Sequence, residues 1–385
     1  MFLIERLFGV TVYVFFLVLF CFLLWKNDES AIGKILFVYS IVLSIMAYFY
    51  VPYKTADLYR IYDVLDSLGG KTFRQVISSP NVSAGNVYYW LIARTGNRQF
   101  LPAINSLICY NCIFYIISKT AKKYRISGGN VALSLFFYMS TGTYIFVISG
   151  IRSMLGISLM SFCFFRESVE CKFNILHVAM YVVAFFIHHY VAALIVFRFI
   201  SVIFNKGVSL NKKCVCIGLL LICTMIITTY FSNYVDQIFD KSEGYIKGNA
   251  YSYFWDYIIG LLIGIVNGYL LFRYKRYFAV KNGFNLYGLY SFAITLYLIS
   301  IGFCFEFSIF HRTIAYIVPI ICLPIWLIIL QDNNSKAENG TYNSKTLCVN
   351  EANSINVNFC IFIYILILFL SCSRGTLCSL KFFVL

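Results

Sequence analysis

Charge is scarce in this sequence. Lys, Arg, Asp and Glu make up 12% of the 385 residues, 31 basic and 16 acidic, where a soluble domain carries about 25%. So little charge cannot cover a water-soluble fold of this size, which excludes soluble enzymes, disordered linker proteins and nucleic-acid modules. Alternation of apolar and polar residues is missing too, and with it the signature of a membrane β-barrel. No internal repeat is visible. No small-residue cleavage site follows the first apolar block, so that block is expected to stay in the protein as a span. Cysteine is absent from the polar segments 54–99 and 232–252, so no disulfide framework is implied.

What the chain has in abundance is apolar length. Hydrophobic residues make up 61%, and they come in solid blocks. Crossing a hydrocarbon core takes roughly 20 mostly apolar residues, and every backbone polar group inside it must be satisfied internally, so such blocks must be helical. Twelve are expected: 7–25, 33–53, 100–118, 129–149, 151–165, 174–189, 190–204, 214–231, 253–272, 286–305, 312–330 and 358–373. The fold class read from this is all-α, a polytopic transmembrane bundle of about 12 spans forming one integral membrane domain over 1–385. Segment 54–99 reads as a long external loop. The Asn-rich stretch 331–357 reads as a polar cytoplasmic linker before the last span.

The net charge of +15 is largely a topology signal. Connectors after the odd-numbered blocks hold 17 of the 31 basic residues, among them Lys119, Lys122, Lys123 and Arg125, and Arg273, Lys275, Arg276 and Lys281. Short connectors on the other side hold only Arg152, Lys241, Lys247 and Arg312. The positive-inside rule makes the first side cytoplasmic. Segment 54–99 and both termini are then expected outside. No nucleic-acid partner is expected.

The ionisable residues left on the outer side need a separate explanation. In VPYKTADLYRIYDVLDSL, Asp57, Arg60, Asp63 and Asp66 recur every three residues and share a helix face, with Tyr59 and Tyr62 between them. One reading is an amphipathic helix lying on the membrane with interfacial tyrosines. The other places Asp57 at a cavity mouth as a base or an orienter of a hydroxyl. Arg152 opens a block of small residues, Ser153, Gly156 and Ser158, which permit close approach. A cation at a helix N-terminus opposes the helix dipole. It therefore needs an anion, either an outer carboxylate or a diphosphate, whose oxygens match the guanidinium fork. His188 and His189 sit at the outer end of an otherwise apolar run, and ionisable groups at membrane depth usually face a cavity or a partner. Arg198 lies three turns deeper, as an ion-pair member or a snorkelling cation. Glu306, His311 and Arg312 crowd one outer turn, and interfacial anchoring accounts for neither the acid nor the two basic groups. Cys109 and Cys112 form a CxxC inside a span with no second pair or histidine nearby, so no metal site is expected, and no cofactor.

In this order the residues resemble a family. Asp57 and Tyr59 in an outer segment, Arg152 opening a helix, Ile-His at His188 ending one, and Arg312 with Tyr316 before a Pro-containing apolar run are similar to the EpsG-like branch of bacterial polysaccharide polymerases, the Wzy type that polymerises O-antigen. The sequence departs in having His189-Tyr190 where the family has a small polar residue after the His. The resemblance implies a multi-helix fold like that of GT-C-type lipid-linked-sugar glycosyltransferases. It also implies a substrate, an undecaprenyl-diphosphate-linked oligosaccharide repeat unit in the membrane lipid, and a co-polymerase partner that regulates chain length. The growing glycan is transferred to the non-reducing end of a new lipid-linked repeat unit.

That chemistry suits the residues. A departing lipid diphosphate gains negative charge that fixed cations stabilise, and Arg152 and Arg312 are the diphosphate-binding candidates. The acceptor hydroxyl must lose a proton to a carboxylate or a neutral imidazole, so Asp57, His188 and Glu306 are the catalytic candidates. Tyr59, Arg60, His189, His311 and Tyr316 are secondary candidates. An O-antigen ligase is the nearest alternative, although its largest outer loop is expected late in the chain. A lipid-linked oligosaccharide flippase is another, although it is expected to show a duplicated half and charges along a central cavity.

Overall fold

The computed structural model describes residues 2–54, 56–78, 84–170, 174–188, 190–203, scattered positions in 209–221, then 254–273, 286–304, 310–338, 356–373, 377 and 380–382. Among the described residues the chain is helical, with no strand. One isolated bridge joins Tyr50 to Phe382. The helices are α1 (Phe2–Lys26), α2 (Glu29–Tyr48), α3 (Asp57–Gly69), α4 (Phe73–Ile77), α5 (Ala84–Ala93), α6 (Phe100–Tyr124), α7 (Gly128–Ser140), α8 (Thr143–Ser149), α9 (Ile151–Ser168), α10 (Ile175–Ile187) and α11 (Tyr190–Ile203). After these come α12 (Phe254–Arg273), α13 (Leu286–Gly302), a π-helical turn (Arg312–Ile317) running into α14 (Val318–Glu338), and α15 (Val357–Ser373).

Five helical stretches are long and apolar enough to cross a membrane: Leu7–Lys26, Glu29–Tyr48, Phe100–Tyr124, Phe254–Phe272 and Arg312–Asp332. The pair α7 and α8 makes a sixth, bent by 60°. The protein is a helical membrane protein with fewer full-length spans among its described residues than the twelve apolar blocks predict. Block 214–231 falls largely outside those residues. Blocks 174–189 and 190–204 become the short helices α10 and α11, and 286–305 and 358–373 become the short helices α13 and α15. Block 151–165 becomes α9, which carries Arg152, Arg166 and Glu167 within 18 residues.

Burial orders the bundle from centre to rim. In the Arg312–Asp332 span every residue from Thr313 to Leu330 is buried, while the Leu7–Lys26 span is mostly unburied and turns most of its surface outward. The buried helix α14 packs on α6 and α7, α2 runs along α6, and α9 lies between α6 and α10. The bend between α7 and α8 follows from Gly142 at φ 78°, a left-handed conformation that glycine adopts without steric cost. Past it, Asn105 donates to the Val147 carbonyl at 2.6 Å and Tyr144 to the Leu43 carbonyl at 3.1 Å, which fix α8 against α6 and α2.

The bundle has two ends. At one, Arg166 pairs with Glu170 at 3.3 Å, Lys123 donates to the Val169 carbonyl, and Gln331 Oε1 accepts from the Ser127 amide and the Asn130 side chain, both at 2.9 Å. Arg198 is an ion-pair member, 3.4 Å from Glu167, with its guanidinium over the Phe164 ring. The other end holds the α2–α3 junction, the starts of α6 and α9, the α10–α11 corner and the π-helical turn. The segment around Leu380 also returns here, where Val51 donates to the Lys381 carbonyl at 2.9 Å.

At this second end, segment 54–99 is three short helices rather than a plain loop. In α3, Leu58, Tyr62, Leu65 and Leu68 are buried while Asp57, Arg60, Asp63 and Asp66 are exposed, the amphipathic pattern that a three-to-four residue spacing produces. Helix α4 opens with a Thr72–Gln75 capping box. Trp90 of α5 and Arg94, just past its end, both donate to the Lys71 carbonyl, at 2.8 and 2.9 Å, which folds the three helices together. Helix α5 packs on α10, and α3 reaches α8. At the far end of the chain, α14 continues to Glu338, into the stretch that the sequence marks as linker.

Candidate functional site

Two clusters form at the second end, and both are built from helix termini. The first centres on the start of α9. The chain leaves α8 at Ser149 and turns at Gly150, and Arg152 lies exposed in the first turn of α9. First-turn amides have no intrahelical acceptors and carry the positive end of the helix dipole, so Arg152 adds charge to a terminus that already attracts anions. Among the described residues no carboxylate lies within ion-pair distance of it. Asp57 pairs instead with Arg60, its neighbour one turn on in α3, and both side chains are more than half exposed.

Tyr89 of α5 closes this cluster. Its side chain is 2% exposed, and its hydroxyl has no hydrogen-bond partner among the described residues. Burial pushes this phenol up to about 12, with the Arg152 charge pulling it down and the Asp57 charge raising it. The Tyr89 hydroxyl is thus a protonated, buried donor within electrostatic reach of both groups. A buried hydroxyl with nothing to bond costs about 1–3 kcal/mol.

The α10–α11 corner supplies the third part. His188 ends α10 in an extended conformation, φ −152° and ψ 124°. Its Nε2 lies 3.0 Å from Ser153 Oγ. Gly156, one turn further along α9, makes this possible. A Cβ there would stand 2.9 Å from Val191 Cγ2, 3.3 Å from the Ala184 carbonyl oxygen and 3.6 Å from His188 Cβ. Small residues at Ser153 and Gly156 therefore let the corner close on α9. The partner His188 finds is a hydroxyl of α9, and His189 lies outside the described residues.

The second cluster is the π-helical turn. Pro319 has no N–H to give the Ala315 carbonyl, and the backbone widens: Val318 donates to Thr313, five residues back. Residues five apart diverge by about 140° around an α-helix. In this wider turn the His311 and Tyr316 rings meet edge to face at 5.0 Å. Tyr316 also stacks flat on Phe146 of α8, with centroids 4.0 Å apart, which connects this turn to the α8–α9 junction. Its hydroxyl lies within electrostatic reach of Arg312 and of Asp256 in the first turn of α12. His311 is buried, and burial followed by the Arg312 charge holds its imidazole down at about 3. It is neutral at physiological pH and too weakly basic to take a proton there. Arg312 is half-buried.

Among the sequence candidates, Arg152 and His188 meet at the start of α9, where His188 bonds to Ser153, and Asp57 lies within electrostatic reach of Tyr89. Arg312, His311 and Tyr316 form the adjoining cluster. Glu306 lies outside the described residues. Tyr316 is a packing residue, 1% exposed, whereas Tyr59 stays exposed on α3. Sequence reasoning missed Tyr89, Asp256 and the partnership of Ser153 with His188. Asp256 left a trace, as an acid at the edge of an apolar block; Tyr89 is one of 31 tyrosines with nothing to distinguish it. Among the described residues no group of three His, Cys, Asp or Glu is placed to hold a metal.

No protein-family model, curated protein or solved structure matches this chain. Function is therefore argued from the geometry and from the motif resemblance. Two cations, and a histidine hydrogen-bonded to a serine of the next helix, at one end of a membrane bundle can bind an anionic leaving group and accept a proton from an attacking hydroxyl.

Proposed function

We propose that this protein is a bacterial glycan polymerase of the O-antigen type, acting at the periplasmic face of the inner membrane. It transfers the growing glycan from undecaprenyl diphosphate to the non-reducing end of a new lipid-linked repeat unit. The observation that carries this reading is Arg152 at the start of α9, exposed, without a carboxylate partner among the described residues. A diphosphate at that point receives a bidentate guanidinium and the first-turn amides. Arg312, in the adjoining π-helical turn, supplies a second cation.

In the transfer, the acceptor sugar oxygen forms a bond to the anomeric carbon while the bond from that carbon to the diphosphate oxygen breaks. The electron pair leaves with undecaprenyl diphosphate, and its charge is met by Arg152 and Arg312. The acceptor proton passes to a base. Asp57 is engaged by Arg60, so His188, held by Ser153, is the better-placed acceptor. A ligase shares this chemistry with a different acceptor. A flippase needs no base beside a cation.

The test uses a strain whose copy of the gene is deleted. Restoring the wild-type chain is expected to return long O-antigen ladders on a gel, whereas Arg152→Ala and Arg312→Ala reach the membrane and leave lipopolysaccharide with a single repeat unit. Long ladders from both variants would show the assignment to be wrong. Loss of the single-unit band on deletion would favour a ligase or a flippase.

A further inference from the structure

Away from the Arg152 cluster, segment 54–99 carries an open surface cavity of about 540 Å³ lined by Leu65, Asp66, Gly69, Ala93, Asn97 and Arg98, together with Gly96 and Gln99. We infer that this cavity is a binding site for a neutral, polyhydroxylated glycan segment. Ligand pockets in general are lined mostly by apolar side chains with a few polar groups, whereas this wall is dominated by a carboxylate, two carboxamides and a guanidinium. An apolar occupant would leave those groups without partners. Asp66 in the wall opposes a polyanion, and Arg98 opposes a polycation. A ring of hydroxyls, each able to donate and accept, satisfies all four side chains.

The lining is held in place and still has capacity to bond. Gln99 Oε1 accepts from the buried Tyr62 hydroxyl at 2.8 Å, so its amide donors remain for a ligand. Asn97 donates to Tyr48 at 2.7 Å and accepts from the Gln99 amide at 3.0 Å. The Arg98 guanidinium lies over the Tyr62 ring at 4.8 Å, which fixes its plane. Asp66 has no ion-pair partner among the described residues. Asp66 stands nine residues from Asp57 along α3, about 14 Å at 1.5 Å per residue. The cavity and the Arg152 cluster thus lie toward opposite ends of α3. Which glycan arrives there rests on the polymerase reading; the chemistry of the wall does not.

Gly69 offers a clean probe, because a Cβ added there meets nothing within 4 Å. Gly69→Leu fills the cavity without displacing the fold. Full-length protein in detergent is applied to an array of neutral hexose and N-acetylhexosamine oligosaccharides, three to five residues long, beside a hexuronate series. Binding to at least one neutral member is expected, at least ten-fold weaker in Gly69→Leu and in Asp66→Asn, and kept in Arg152→Ala. Absence of binding to every neutral member, preference for the hexuronate series, or unchanged binding by Gly69→Leu overturns the site. If neutral binding is lost in Gly69→Leu while the wild type shows no polymerase activity, the site stands and the polymerase reading falls. If the wild type polymerises while Gly69→Leu binds as the wild type does, the reverse holds.

Discussion

At the scale of single residues, the account rests on groups whose surroundings are unlike their sequence neighbours'. Arg152 has no carboxylate within ion-pair distance among the described residues, whereas Arg166 and Arg198 do. That contrast was partly legible in the sequence, because a cation at an outer helix start runs against both the dipole and the charge rule. The Ser153–His188 contact was not legible, since it joins residues 35 positions apart and depends on how closely two helices approach. His311 yields a residue-scale prediction. Its folded imidazole titrates near 3 against about 6.5 in an unfolded chain, so between these values the unfolded state binds the extra proton. Stability therefore rises with pH through that window and is lost as pH falls below about 6.5. Thermal melts of the purified protein are expected to drop from pH 7 to pH 4.5, with a visibly shallower slope in His311→Phe. Parallel slopes in the two proteins would contradict the buried, neutral imidazole.

Helices and their joints carry the next level. Hydrophobic periodicity placed the amphipathic α3 correctly, because one face must be dry and the other charged. It missed the bend at Gly142, since an apolar block of about 20 residues reads the same whether straight or broken, and the φ of one glycine decides the matter. It also missed the widened turn at Arg312, which needs the lost donor of Pro319 to be set against the packing of Tyr316 on Phe146. The joint with the largest functional leverage is Gly156. Because a Cβ there already meets Val191 at 2.9 Å, Gly156→Leu must push the α10–α11 corner away and carry His188 off Ser153. Overpacking of this kind costs typically about 1–3 kcal/mol. The variant is expected to insert and melt several degrees lower, and to lose long-chain product, while Gly156→Ala keeps part of both. Normal ladders from Gly156→Leu would show that the corner need not close.

For the whole molecule, the scarcity of charge gave the class correctly, a helical membrane protein, and five or six of the twelve expected blocks are full-length spans among the described residues. Composition measures apolar length, whereas burial decides what a helix faces. The Arg312–Asp332 span is apolar because protein surrounds it, and Leu7–Lys26 because most of its surface faces outward. The proposed function puts the Lys122 end of the bundle in the cytoplasm, as the positive-inside rule predicts from the short connectors. An impermeant maleimide applied to spheroplasts is expected to label Ser67→Cys above the wild-type background, and Lys122→Cys only after permeabilisation. The opposite pattern would place the Arg152 cluster on the cytoplasmic side and exclude a periplasmic polymerase.

The central claim is that Arg152 meets the charge of a departing lipid diphosphate. The most direct measurement reconstitutes the purified chain in liposomes with an undecaprenyl-diphosphate-linked repeat unit and follows release of undecaprenyl diphosphate together with dimeric and longer glycans. The wild type is expected to release one lipid diphosphate per linkage formed, and Arg152→Ala to do so about 100-fold or more slowly, the loss typical of removing one group that stabilises transition-state charge. Equal rates for the two proteins, or no turnover by a folded wild type, would contradict it.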